Sequence, residues 1–279
     1  MTPRVGVVGH VEAVEFVVVD RHPRPGEVVH AREWFTAAGG GGAVAAVQLA
    51  RLAGEATLLT ALAADDAGAA VGRELEDRGV TLHAASRPGS HRRGVTHLDA
   101  ATGERTITVL GERIVPRGDD PLPWAELRRH DAVYFTAGDA AAARAARAAR
   151  ILVATSRATD ALIDAGVEVD ALVASAADEA EAVDPRRLRR PPRVVIRTEG
   201  ARGGTWTGSE GATGRWEAST PPGPVVDAYG CGDAFAAGLT FGLGAGLDLT
   251  AALELGARCG AHCLAGRGPY EGQLALVRR

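Results

Sequence analysis

Two glycines one residue apart, Gly230 and Gly232, stand between an extended approach and a long apolar run, and no other junction constrains this chain as strongly. Val225 and Val226, behind Pro221-Pro222-Gly223-Pro224, read as the end of a strand or extended segment. From Asp233 onward Ala, Phe and Leu dominate without proline, which predicts a buried helix. A glycine-rich turn that opens a helix aims several backbone N–H groups at one point, at the positive end of the helix dipole. Such a turn suits a phosphate, or the charge that develops as a phosphoryl group moves. Asp233 sits at its mouth, where a pure anion binder would avoid a carboxylate. Either Asp233 takes a proton from an attacking hydroxyl beside the anion hole, or it simply caps the helix.

A second glycine cluster lies near the N-terminus. Thr36-Ala37-Ala38-Gly39-Gly40-Gly41-Gly42-Ala43 leads into an apolar helix expected over Val44 to Ala53. The cluster reads as backbone that approaches a ligand closely at a helix start, or as a flexible connector. A dinucleotide-binding fingerprint does not fit, because no G-x-G-x-x-G follows the first strand.

Between and beyond these clusters the pattern is short apolar strands alternating with helices, which implies a mostly parallel sheet covered on both faces. Val5-Gly6-Val7-Val8-Gly9 is the first strand; Ala132 to Phe135, Ile151 to Ala154, Ala171 to Val173 and Val194 to Ile196 read likewise. Two segments depart from this pattern. Glu15 to Val19 and Val28 to Phe35, split by Arg21-His22-Pro23-Arg24-Pro25-Gly26, form a two-strand excursion, and Gly94 to Leu110 alternates as a hairpin around Asp99 to Gly103. The Asp139 to Arg150 stretch is an expected helix whose Arg144, Arg147 and Arg150 form a solvated face, and Arg186 to Arg193 is a charged loop.

Composition narrows the classes. The 279 residues can hold one large α/β domain or two small ones, and 46% apolar with 24% charged residues is ordinary for a soluble globular chain. The basic residues are all Arg, a coding bias before it is a function, and the formal charge of −4 argues against a nucleic-acid binder. Cys231, Cys259 and Cys263 make no disulfide framework or metal set. Met1-Thr2-Pro3-Arg4 runs straight into a strand and no apolar run reaches spanning length, so a cytoplasmic chain without membrane contact is expected.

Asp227-Ala228-Tyr229-Gly230-Cys231-Gly232-Asp233-Ala234-Phe235 resembles the C-terminal signature of the ribokinase-like (PfkB) carbohydrate kinases, D-T-x-G-A-G-D-x-F, and the glycine run at 39–42 occupies the place of their G-G-x-G-x-N. The resemblance spans the whole chain. It implies a single domain over 1–279: a three-layer α/β/α fold with a small β lid from about 12–36 and 92–112, where Pro25-Gly26-Glu27 and Gly103-Glu104-Arg105 resemble lid turns. A lid over such a site would exclude water that otherwise hydrolyses ATP. The implied reaction is ATP-dependent phosphoryl transfer to a hydroxyl of a sugar, sugar derivative or nucleoside. Asp233 would be the base and the N–H groups of Gly230, Cys231 and Gly232 the anion hole. Thr198-Glu199-Gly200-Ala201-Arg202-Gly203 resembles the T-x-G-x-x-G turn along the nucleotide, so Thr198, Gly200 and Gly203 are implied in ATP binding. Asp227 and Gly268 are implied beside them, the latter walling the adenine. A monovalent cation near Asp227 and a homodimer through the exposed face of the lid belong to the same resemblance.

The substrate end departs from the pattern. Glu12, Gly39, Gly40, Gly42 and Val44 fall at substrate-binding positions, yet Glu12 stands where Asn is common, Val14 where an Asp is usual, and Val44 where an Asn is usual. Gly41 replaces a frequent Lys. The N-x-x-E associated with magnesium reduces to Ala176-Ala177-Asp178-Glu179, keeping Glu179. Losing buried hydroxyl-binding groups changes a ligand rather than merely weakening it. His10, Glu12 and Glu15 either supply new contacts or are lid residues without a ligand role. A non-catalytic binding or regulatory protein on the same fold is the alternative.

Overall fold

The computed structural model describes residues 2–276 apart from 183, 185 and 186. Arg186, the first residue of the expected charged loop, lies outside the described residues.

Strand β1 (Val5–Val8) is wholly buried, as its apolar run demands. The chain then leaves the core for β2 (Glu12–Val19), whose alternating burial turns Glu12, Val14 and Phe16 inward, and β3 (Glu33–Gly39), which pairs antiparallel with it. It returns through α1 (Gly41–Ala53), β4 (Ala56–Ala63), α2 (Asp66–Asp77) and β5 (Val80–Arg87). Next, β6 (Arg93–Asp99) and β7 (Arg105–Leu110) complete a four-stranded lid of order β3-β2-β6-β7. Repeated strand–helix units follow: β8 (Ala132–Phe135), α3 (Ala140–Ala146), β9 (Ile151–Thr155), α4 (Thr159–Ala165), β10 (Ala171–Ser175) and β11 (Val194–Thr198). Strands β12 (Gly204–Gly208) and β13 (Thr213–Trp216) precede α5 (Cys231–Gly244) and α6 (Leu249–Leu264).

The main sheet runs β13-β12-β11-β10-β9-β8-β1-β4-β5, parallel except for the antiparallel β12 and β13 at one edge. Neighbouring residues on each strand face opposite layers. Val7, Leu58, Tyr134 and Val153 pack beneath α1, α5 and α6, whereas Val8, Leu59, Val133 and Leu152 pack against α3 and α4. This three-layer architecture with a lid is the one expected. Burying each large aliphatic side chain in these layers contributes roughly 1.5–3 kcal/mol. Among the described residues no helix is long and apolar enough to cross a membrane.

Four local expectations change. The strand expected at Val28 to Phe35 sits at Glu33–Gly39, because pairing of Phe35 with Phe16 sets the register, and Val28 is left 88% exposed. The helix expected from Val44 begins at Gly41: Gly39 ends β3, Gly40 caps the helix and Gly41 and Gly42 open its first turn, so the cluster is not a flexible connector. A Cβ on Gly42 would lie 2.6 Å from the His10 carbonyl oxygen, and only glycine lets the helix dock that close to the end of β1. The helix expected over Asp139 to Arg150 spans only Ala140–Ala146. Arg147 is not a solvated residue: Nη1 meets Asp170 Oδ2 at 2.6 Å while Nη2 donates to the carbonyls of Ala149 and Arg150. Finally, β12 and β13 were not anticipated, since glycine and threonine dominate them.

Candidate active site

Helix α5 opens without a side-chain cap, at Gly230 with φ 77°. The N–H groups of Gly230, Cys231 and Gly232 have no hydrogen-bond partner among the described residues, the ladder beginning with Ala234 N–H to Gly230 C=O at 2.8 Å. The two glycines differ in purpose. Gly230 holds a left-handed conformation with Val44 pressed against it, so that a Cβ would lie 2.8 Å from Val44 Cγ1. Above Gly232 there is nothing within 4 Å of an added Cβ. The turn therefore presents bare donors to open space.

Asp233 lies in the first turn of α5 but makes no capping bond, so the capping alternative is not what the geometry shows. Its carboxylate faces the other glycine cluster: a Cβ on Gly41 would sit 2.8 Å from Asp233 Oδ1. Part of the side chain remains open to the cleft. The dense protein around it, reinforced by Glu181, nevertheless pushes its pKa up to about 6, against the opposing pull of Arg105 and Arg157. A carboxylate so poised is charged at neutral pH yet readily takes a proton.

Glu181, not Glu179, is the acidic residue of the β10 loop that turns into the site. Glu181 Oε2 accepts from the Ser175 N–H at 2.7 Å, and Oε1 meets Arg157 Nε at 2.8 Å. Arg157 also pairs with Asp178. The Glu179 side chain makes no hydrogen bond or ion pair among the described residues; only its carbonyl accepts, from the Ala182 N–H at 3.1 Å. The short 3-10 turn at Glu179–Glu181 decides between the two carboxylates, which lie only two positions apart.

Along the nucleotide side, Thr198 ends β11 and donates its hydroxyl to the Ala174 carbonyl at 3.4 Å. Gly200 is open, with nothing within 4 Å of a Cβ, whereas Gly203 is packed so tightly that a Cβ would meet the Trp216 carbonyl oxygen at 2.0 Å. Asp227 is buried, and its two oxygens accept from the N–H groups of Tyr229 at 2.8 Å and Gly268 at 3.0 Å. Burial raises its pKa despite these bonds. Asp227 and Gly268 are thus joined to each other: the carboxylate ties the turn at 268 to the turn that opens α5.

On the acceptor side, Glu12 forms an ion pair with Arg92 at 2.8 Å and lies 3.5 Å from His10. Burial lowers the His10 pKa, while the nearby Glu12 carboxylate pulls it the other way. Burial alone would raise Glu12; His10 together with Arg92 and Arg113 more than offsets this and holds the carboxyl below its usual range. Val14 packs against Gly39 and Gly94, and Val44 against Gly230, so both positions are apolar wall. Gly39 and Gly40 serve internal contacts too: the Gly40 N–H donates to the Tyr229 hydroxyl at 3.1 Å, and a Cβ on Gly39 would meet that hydroxyl at 2.5 Å. Glu15 is a half-buried lid residue of β2 and does not join this group.

The lid's strand register places Phe35, Phe16, Thr96 and Ile107 in one row facing the body, with Ala37, Val14, Gly94 and Val109 in the next. Phe16 stacks on Phe35 and meets Tyr229 edge-on. Arg105 shares the inner face and reaches Asp233 and Asp227 electrostatically. At the lid's tip, Gly103 rests on Val225 and Val226. Sequence reasoning did not single out Glu181, Arg157, Arg92 or Arg113, and gave Tyr229 no role although it lies within the signature at 227–235. Only the position of Arg105 carried a signal, in Gly103-Glu104-Arg105.

A large parallel sheet between helical layers, a four-stranded lid and a helix-opening glycine turn with its aspartate define a ribokinase-like kinase. The family model for pfkB family carbohydrate kinases matches residues 2–275, and the chain belongs to that family. It is a kinase, a phosphotransferase of this fold. The fold is similar to that of a ribokinase from Thermotoga maritima, at 18% identity and a TM-score of 0.77 over 98% of this chain and 96% of the other. An Arabidopsis thaliana ribokinase complexed with ribose and ATP aligns at 21% identity and TM-score 0.73, over 96% and 94%. An adenosine kinase from Sinorhizobium meliloti gives 20% and 0.76, over 97% and 96%. No curated protein matches the chain by sequence.

Proposed function

We propose that this chain transfers the γ-phosphoryl group of ATP to a hydroxyl of a sugar or sugar derivative. One observation carries the reading: the unpartnered N–H groups of Gly230, Cys231 and Gly232 and the open space above Gly232 share the start of α5 with the Asp233 carboxylate, which faces Gly41. Those N–H groups stabilise charge on the transferring group, which is where most phosphoryl-transfer catalysis originates. Asp233 orients the acceptor hydroxyl for in-line attack and receives its proton. The new O–P bond forms as the bond to the bridging oxygen of the departing ADP breaks. Arg105, on the lid's inner face, adds positive charge as the lid covers the site.

The open turn at Gly200 and the α5 start fit a nucleotide laid along the carboxyl ends of the strands. No group of three or more His, Cys, Asp or Glu that could hold a metal exists among the described residues. Mg2+ would therefore be held mainly by phosphate oxygens and water, with Glu181 as the carboxylate the protein contributes. When bound, it neutralises phosphate charge. Each Asp227 oxygen accepts one backbone N–H, so a monovalent cation beside it would use the remaining lone pairs.

We place the reaction in the cytoplasm, where ATP is available and the free Cys231, Cys259 and Cys263 stay reduced. The outer face of the lid carries Trp34, 70% exposed, and fits a second copy of the chain. Sedimentation should give a dimer for the native chain and a monomer for Trp34→Glu; two monomers would remove the dimer from the proposal. The reaction itself is tested by phosphoryl transfer from MgATP across sugars, polyols and nucleosides. A product that Asp233→Asn fails to form supports the reading. Product formed at a near-native rate by that variant removes Asp233 as base.

A further inference from the structure

Arg113 lies three residues beyond β7, where the lid returns to the body. It lines a cavity of about 180 Å³ together with Thr136 and Gly138 beyond the end of β8 and Arg157 beyond the end of β9. The cavity adjoins the acceptor side of the base. Thr136 Cβ is 3.6 Å from where a Cβ on Gly41 would sit, and that same point is 2.8 Å from Asp233 Oδ1. Ile107 and Val109 share the lid's inner face yet stand 42% and 43% exposed, so this part of the lid is not packed on the body.

The arginines around the cavity differ in their pairing. Arg92 is paired with Glu12, and Arg157 with Asp178 and Glu181. Arg113 makes no hydrogen bond or ion pair among the described residues. The surrounding protein, together with Arg92 and Arg157, lowers its pKa, although Glu12 pulls the other way. Asp160, the one carboxylate among the described lining residues, is exposed to solvent. An arginine fork matches a carboxylate or phosphate through two parallel hydrogen bonds. Arg113 is itself exposed here; a lid closed over a neutral acceptor would take this guanidinium out of water without a counter-charge, which is costly. Val14 and Val44 meanwhile remove two groups that would hold neutral hydroxyls.

We propose that this cavity receives an anionic group of the acceptor, a carboxylate or phosphate ester, with Arg113 as its counter-ion. The proposal rests on the kinase reading and names its acceptor class: a sugar acid or sugar phosphate rather than a neutral sugar. Closure of the lid would strengthen the pair by keeping water from it.

Matched sets test this: glucose, gluconate and glucose 6-phosphate, and ribose, ribonate and ribose 5-phosphate, each with MgATP. At least one anion should exceed its neutral parent in kcat/KM by about tenfold or more, and Arg113→Gln should shrink that preference by about 10- to 100-fold, chiefly through KM. Arg113→Lys, which keeps the charge, should restore part of it. The carboxylate and phosphate arms identify which anion the cavity takes. A preference for neutral sugars, or an anion preference that Arg113→Gln leaves intact, overturns the proposal. Calorimetric binding of the same anions separates it from the parent reading. Binding that Arg113→Gln abolishes, without turnover, keeps the anion site while the kinase reading fails. Turnover of neutral sugars without anion binding does the reverse.

Discussion

Asp233→Asn should make the protein more stable as well as inactive, and the gain should depend on pH. The carboxyl group has a pKa of about 6 in the folded protein against an ordinary 3.8, a difference of roughly 2 units. At about 1.4 kcal/mol per unit this is no more than about 3 kcal/mol, and the side chain's partial opening to the cleft trims it. The sign follows from linkage. A carboxyl whose folded pKa is raised opposes folding when charged. The penalty is absent below about pH 4, where the group is protonated folded or unfolded. It grows between about pH 4 and 6, and is complete above that. Asparagine never carries it. Without nucleotide, Asp233→Asn should therefore melt at about the native temperature at pH 4. At pH 8 it should melt higher by up to roughly 5 °C for a chain of this size. Turnover should fall by about 10²- to 10⁴-fold, the usual worth of a general base. Calorimetric scans at the two pH values and a coupled ADP assay give both readouts. A variant equally stabilised at both pH values, or less stable at pH 8, would refute the buried-base argument even if activity were lost.

Other perturbations probe the same geometry. Glu181→Gln removes a charge that raises the Asp233 pKa, so the acid limb of kcat/KM should move to lower pH; a limb that stays in place or moves up argues against their coupling. Gly41→Ala introduces a Cβ 2.8 Å from Asp233 Oδ1, and displacing the base by even a fraction of an ångström should cut kcat about 10- to 100-fold with little loss of stability; steady-state kinetics beside a melting curve decides this. Gly230→Ala forces a side chain into φ 77° and against Val44, so it should cost about 2–3 kcal/mol in denaturant unfolding, and an unchanged midpoint would show that the turn relaxes freely. Asp227→Ala leaves the Tyr229 and Gly268 N–H groups without their buried acceptor and should destabilise by about 1–3 kcal/mol, by the same assay.

The two ends of the site differ in how far the sequence disclosed them, and the reason is physical. At the phosphoryl end the requirement is on the backbone. Gly230 must take a positive φ beneath Val44, Gly232 must leave its N–H bare, and Gly42 must let α1 dock against His10. Each needs glycine for a reason local enough to leave a mark, and the parallel core was legible in the same way from short apolar strands. At the acceptor end the requirement is on charge, assembled from segments far apart in the chain. Glu12 meets Arg92, and Arg157 meets Glu181, while Arg113 is left over. In a chain whose basic residues are all arginine, one unpaired arginine looks like any other until the partners of its neighbours are known. The acidic run Asp178-Glu179-Ala180-Glu181 poses a related difficulty: the N-x-x-E frame can be set on Glu179 or two residues later on Glu181, and the turn is what delivers Glu181 to Ser175 and Arg157. Catalytic geometry carried by the backbone is therefore written in residue type. Charge carried across the site is written in pairing, and that shows only once the segments are folded together.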